Sequence, residues 1–128
     1  MRPEKFTLKA RLASFRFAFR GLASLIRNEH NSRIHLFATI LVIAAGIILK
    51  INSYDWCIII IVTGLVFACE LINSAVESLG DQPGPGYSEF IKRAKDYSAA
   101  AVLVSAVIAV ACGLIIFIPK VLSIITPK

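Results

Sequence analysis

Cysteine is scarce and scattered: Cys57, Cys69 and Cys112 each stand alone in an apolar stretch, with no CxxC spacing and no histidine at a metal-ligand offset. Disulfide frameworks and zinc sites therefore lack support, and packing is the reading left to these thiols. No GxxxxGK[ST] stretch occurs, and Gly84-Pro85-Gly86 lacks the lysine and following helix start of a phosphate loop. A nucleotide, if bound, is not held by a P-loop. The N-terminal stretch has no compact apolar core with a small-residue cleavage site, so the expectation is no signal peptide and a first span that anchors the chain itself. Repeats, low-complexity tracts and a second domain are also absent, so residues 1–128 are expected to form one helical membrane unit. Acidic residues are few, eight Asp and Glu against fourteen Lys and Arg, for a net charge of +6. In a soluble chain that balance suggests nucleic acid. Here 57% of the residues are hydrophobic and the mean hydropathy is +0.75, too apolar for an ordinary water-exposed surface. Anionic headgroups and an anionic nucleotide are the expected partners, and nucleic acid is not.

What is present is three apolar runs, Ile34 to Leu49, Trp56 to Ile72 and Ala99 to Ile118, each long enough to cross most or all of about 30 Å of hydrocarbon. They predict helices over 34–49, 56–79 and 88–118. Before them, Leu8, Leu12, Phe15, Phe19, Leu22 and Ile26 recur at steps of four and three, while Lys9, Arg16, Arg20 and Arg27 form a second stripe. That pattern predicts an amphipathic helix over 6–30 lying in the headgroup layer. Eight of the fourteen basic residues precede the first span and three, Lys92, Arg93 and Lys95, lie between the second and third. Both segments are therefore assigned to the cytoplasmic face, with the Lys50 to Asp55 turn and the Lys120 to Lys128 tail outside. Gly80 to Tyr87, rich in Pro and Gly, reads as a cytoplasmic loop, Ser88 as the N-cap of the next helix, and Phe117 to Lys120 as the end of the third span. In that span Ala101, Ser105, Ala109 and Gly113 make a small-residue ridge that implies a tight bundle or oligomer.

The chemistry-bearing feature is Glu70, a carboxylate at the end of an unbroken apolar run. At about 100° per residue Glu70, Asn73, Ser74, Glu77 and Asp81 share one side of the helix. An ionisable group in such a place is costly and marks function. Two functions compete for it. A proton or cation site for transport uses Glu70 and leaves the rest idle. Glu70 lies fourteen residues beyond Trp56, or about 21 Å, nearer the cytoplasmic boundary than the midplane. That depth favours a reaction between a lipid headgroup and a water-soluble cosubstrate. A catalytically silent assembly subunit is the third possibility. Glu29, at similar depth to Glu77, reads either as a solvated acid beside Arg27 or Arg33 or as half of a carboxylate pair holding magnesium with a nucleotide. His30 and His35 fall in no triad or metal spacing and read as interfacial and structural.

The run Glu70-Leu71-Ile72-Asn73-Ser74-Ala75-Val76-Glu77, then Asp81 and Arg93-Ala94-Lys95-Asp96, together with Gly21 and Asn28-Glu29, resembles the small bacterial integral membrane diacylglycerol kinase and undecaprenol kinase family. The resemblance covers about Phe15 to Lys120. It implies an all-α integral membrane protein, an interfacial helix plus three transmembrane helices, in homotrimers whose active sites are completed by neighbouring subunits. ATP is then the donor with magnesium as cofactor, and the acceptor is a membrane lipid alcohol. Glu70 resembles the general base, with Asn73 in the same catalytic motif, and Glu29 and Glu77 resemble the ligands of the nucleotide-bound metal, which displaces the solvated-acid reading of Glu29. Nucleotide contacts carry over to Phe17, Glu29, Glu77, Asp81, Gly86, Tyr87, Ser88, Lys95 and Asp96, and lipid contacts to Arg20, Glu70 and Ala99. Ser88 stands where many relatives have His, and Ala10, with Arg11 beside it, where they have a nucleotide-contacting Arg. His35 and the closing Gly113 to Lys120 look more like the undecaprenol branch than the diacylglycerol branch. The implied location is the bacterial inner membrane, multi-pass, with the site facing the cytoplasm.

Overall fold

The computed structural model describes residues 8–82 and 88–126. Among these residues there are four helices and no strand: α1 (Leu8–Asn28), α2 (His30–Ile48), α3 (Ser53–Gly80) and α4 (Glu89–Ile125). Helices α2, α3 and α4 are long and apolar enough to cross a bilayer, which makes the chain a multi-pass membrane protein. At 1.5 Å per residue α2 is about 28 Å long, close to the hydrocarbon thickness, whereas α3 and α4 reach about 42 and 55 Å and must project beyond it. Gly86 and Tyr87, and the side chains of Leu8, Lys9 and Arg11, lie outside the described residues.

Helix ends follow from local chemistry. Asn52 accepts the Asp55 N–H at 3.0 Å and donates its amide to the Asp55 carboxylate at 2.8 Å, which starts α3. Helix α2 stops in a Schellman turn: the Ile51 N–H reaches the Gly46 carbonyl at 3.1 Å and the Lys50 N–H that of Ile47 at 3.2 Å, with Lys50 left-handed at φ 50°. Ser88 caps α4 as the sequence suggests, accepting from the Phe90 N–H at 3.2 Å. The far end of α4 departs from expectation. The helix runs through Pro119 to Ile125 instead of stopping near Ile118. A proline removes one N–H donor but fixes a helical φ, and Val121, Leu122, Ile124 and Ile125 continue the apolar surface beyond it. Lys120 also stays against α3, 3.6 Å from Asp55, which puts the α2–α3 turn and the C-terminal end of α4 on one side of the bundle.

In lipid, helices associate by packing rather than by escape from water. The principal contact is α3 with α4, and α1 touches α2 and α3. A buried cluster of Ile51, Ile59 and Ile116, with Val42, Trp56 and Phe117 against it, locks the end bearing the α2–α3 turn. Of the expected ridge on α4, Ala101 and Ser105 line an open pocket with Leu65 and Cys69 of α3, and a Cβ on Gly113 would meet nothing within 4 Å. On α1 the large residue that docks is Leu25, 3% exposed, while Leu12, Phe15, Phe19 and Leu22 of the apolar stripe face outward. An unpartnered stripe of this kind suits a helix resting on lipid.

Gly46 is the tightest point of the closed end. A Cβ there would lie 2.8 Å from the Trp56 ring and 3.0 Å from Ile51. The substitution Gly46→Ala is expected to destabilise the fold by about 1–3 kcal/mol, measured by denaturant titration in detergent micelles.

Candidate active site at the polar end of the bundle

The end opposite this cluster collects the polar groups. The stripe on α3 has angular width, Asn73 falling about 60° to one side of Glu70 and Ser74 about 40° to the other, and its members meet three different helices. Glu70, in the middle, is 2% exposed and faces α2, where the His35 Nε2 lies 3.3 Å from its Oε1. That Oε1 has no hydrogen-bond partner, and neither has the buried Oγ of Ser32 or of Ser74. Ser32 is one turn before His35 on α2 and Ser74 one turn after Glu70 on α3. Because these helices run in opposite directions, both serines lie one turn nearer the polar end than the His35–Glu70 contact. Three buried oxygens without partners on facing helices leave hydrogen-bonding capacity for a ligand or water.

On the α4 side, Asn73 donates its amide to Glu77 Oε1 at 3.2 Å, and its carbonyl accepts from Ser98 Oγ at 2.8 Å. Ser98 is also 2.9 Å from the Lys95 carbonyl, and its single proton serves one acceptor at a time. Lys95 pairs with Asp81 at 2.7 Å, joining the C-terminal end of α3 to the first turns of α4. The approach is close because position 80 is glycine: a Cβ there would meet the Lys95 stem at 3.1 Å. Asp96 and Ala99 are exposed on the same helix.

On the α1 side, Glu29 is the break between α1 and α2. It has extended backbone at φ −96°, ψ 121° and makes no side-chain capping bond, so its carboxylate is left at a helix N-terminus, where negative charge is favoured. Glu29 lines a pocket of about 230 Å³ with Ser24, Asn28, Ser74 and Ser78. The structure thus brings Glu29 to the Ser74 edge of the stripe and Glu77 to the Asn73 edge. No group of three His, Cys, Asp or Glu side chains suited to a metal occurs among the described residues. Carboxylate and hydroxyl oxygens are hard donors of the kind magnesium takes together with phosphate oxygens and water, and the contacts of Glu29 and of Glu77 lie on different sides of α3. Phe17 and Arg20 lie on the exposed surface of α1, and the contact the structure gives them is with each other, the guanidinium 5.9 Å from the ring centre.

Beneath the polar end an apolar cleft of about 350 Å³ opens between α2, α3 and α4, lined by His35, Thr39, Val66, Ala109, Gly113 and Phe117 among others. Along α4 it extends from Ala106 to Ile118, about 18 Å. His35 belongs both to this cleft and to the Glu70 contact. Its place was not visible in spacing, since the apolar residues of α2 do not announce which face meets α3. Ser98 was also missed. The signal for it was a small polar residue one turn after Lys95, where the span is still polar.

With this geometry in view, comparison with known proteins is specific. The family model for prokaryotic diacylglycerol kinase matches residues 16–117. The chain is similar to an undecaprenol kinase of Bacillus subtilis, 37% identical over 107 residues, covering 84% of this chain and 87% of that protein. It is similar to a diacylglycerol kinase of Synechocystis, 37% identical over 114 residues, covering 88% of this chain and 65% of the other. A diacylglycerol kinase of Escherichia coli is 32% identical over 94 residues, 73% of this chain and 77% of that one.

Ser98→Ala removes the hydroxyl that holds the Asn73 carbonyl. The expected cost is about 1 kcal/mol of stability, read by denaturant titration, with Ser98→Thr closer to the parent because the donor is kept.

Proposed function

The chain belongs to the prokaryotic diacylglycerol kinase family and is a membrane lipid kinase, and from that premise we propose that it transfers the γ-phosphoryl group of ATP to undecaprenol at the cytoplasmic face of the bacterial inner membrane. The observation that carries this reading is Glu70, a buried carboxylate with an unpartnered oxygen, which meets the apolar cleft through His35 and lies one turn beyond Val66 of its lining, on the side of the polar cluster. Such a position suits the meeting of a lipid hydroxyl with a soluble phosphate. The transport reading of Glu70 has no support in the family to which the chain belongs.

In the proposed reaction the lipid hydroxyl oxygen attacks the γ-phosphorus while Glu70 accepts the hydroxyl proton. The new P–O bond forms as the bond to the β-phosphate oxygen breaks, and ADP leaves. Asn73 holds Glu77 in place. Lys95, steadied by Asp81, supplies positive charge for the phosphates, and Asp96 extends the nucleotide contacts. Glu29 and Glu77 would hold magnesium, which neutralises phosphate charge when bound. Phe17, Gly86, Tyr87 and Ser88 are further proposed nucleotide contacts, and Arg20 and Ala99 proposed lipid contacts. Homotrimeric assembly brings such separated surfaces, α1 and the outer side of α4 among them, to a shared site.

The acceptor is inferred from the cleft. A polyprenol carries one hydroxyl on an otherwise pure hydrocarbon, whereas diacylglycerol also brings two ester carbonyls that seek donors near the headgroup. Most residues lining the cleft are apolar; of its two hydroxyls, that of Thr39 donates to the His35 carbonyl at 2.7 Å, and that of Thr63 lies two turns of α3 deeper than Glu70, away from headgroup depth. That lining suits polyprenyl chains better, in line with the undecaprenol kinase of Bacillus subtilis among its relatives.

The test is transfer of labelled γ-phosphate from ATP, with magnesium, to undecaprenol and separately to diacylglycerol in mixed micelles. Undecaprenol is expected to react faster, and Glu70→Gln to lower the rate by about 10²- to 10⁴-fold without dispersing the oligomer. Faster transfer to diacylglycerol reverses the acceptor assignment, and full activity in Glu70→Gln removes the proposed base.

A further inference from the structure

Glu70 presents a problem that the reaction alone does not solve. Its side chain is 3% exposed, in a helix flanked by apolar residues, and the one basic group within ion-pair reach among the described residues is His35, itself 24% exposed. A buried carboxylate–imidazole contact is a weak source of stability, because two apolar residues of similar volume usually pack as well. The pair therefore needs a reason other than folding. Its place supplies one. Of the α2 residues that line the apolar cleft, His35 is the one nearest the polar end, and it meets the carboxylate where the cleft gives way to the polar cluster.

We propose that His35 is a positioning residue for phosphoryl transfer, its Nε2–H held toward Glu70 Oε1 so that the carboxylate presents its other oxygen to the lipid hydroxyl. This rests on Glu70 being the proton acceptor. At 3.3 Å the two atoms are within ion-pair reach without forming a hydrogen bond, and Oε1 has no hydrogen-bond partner, so this acceptor position is open to the His35 donor. A contact of this kind tightens when substrate closes the site. For Nε2 to donate, it must carry the proton, which both the neutral Nε2–H tautomer and the imidazolium provide. Without the donor, Glu70 is free to rotate toward the unpartnered hydroxyls of Ser32 and Ser74, one turn away. The carboxylate then lies off the line of attack while the nucleotide contacts on α3 and α4 are untouched.

The discriminating pair of variants is His35→Met and His35→Gln. Both are flexible and of similar bulk, and only Gln keeps an N–H donor at comparable reach. In the micelle assay with undecaprenol, His35→Met is expected to lose about 100-fold in kcat with KM for ATP within about twofold of the parent, the signature of a transition-state interaction. His35→Gln is expected to recover most of that loss. Equal activity of the two variants overturns the proposal, as does a loss expressed only in KM. A double-mutant cycle guards against a folding artefact: in the Glu70→Gln background, His35→Met is expected to cost nothing further. An additive loss there means that His35 does not act through Glu70 and overturns the proposal. If the parent protein transfers no phosphate, the lipid kinase reading fails and this inference with it; if the parent is active and the Met variant equals it, only the role of His35 fails.

Discussion

A carboxylate withdrawn from water at the end of an apolar helix must be compensated, and the rest of this structure is arranged around that requirement. Glu70 is 2% exposed, and desolvating an ionised carboxylate is costly unless a partner meets it. The compensation is partial: one imidazole at 3.3 Å and no hydrogen-bond donor on Oε1. A fold selected only for stability has no use for such a group. A catalyst needs an acceptor whose capacity is not already filled.

The helices divide the labour around this residue. The α2–α3 turn, Trp56, Ile116 and the Lys120–Asp55 pair close the far end of the bundle and leave the polar end to be held by side-chain bonds. Those bonds run along α3 and α4, from Asn73 to Glu77, Ser98 to Asn73 and Lys95 to Asp81. They fix the proposed nucleotide-contacting groups on two helices, a more exact support than loops provide. Glu29 is different in kind. It sits at the junction of α1 with α2, so the orientation of α1 and the position of one proposed metal ligand are coupled through a single extended residue.

Much of this was legible in the sequence, for identifiable reasons. Three apolar runs and a basic amphipathic segment have periods that need no tertiary information, and Ser88 announced its cap by its place after a Pro- and Gly-rich loop. The polar stripe on α3 was legible as a stripe. What periodicity does not contain is the azimuth of each neighbour. It gave no sign that Ser74 meets the α1 side while Asn73 meets α4, or that His35, which read as interfacial and structural, turns onto Glu70. Pro119 misled in the usual direction. It reads as a stop, yet one missing donor near a helix end is tolerated where the apolar surface and a cross-helix ion pair continue.

The central claim is that the carboxyl group of Glu70 lies beside the phosphoryl group being transferred. Its most direct measurement is a solid-state NMR distance, in bilayers containing undecaprenol, between the labelled carboxyl carbon of Glu70 and the γ-phosphorus of a non-hydrolysable ATP analogue bound with magnesium. The account predicts strong dipolar dephasing at a separation of about 4–6 Å, the spacing left when a hydroxyl sits between base and phosphorus at near-attack distance. A bound analogue whose γ-phosphorus produces no dephasing at Glu70 would contradict it.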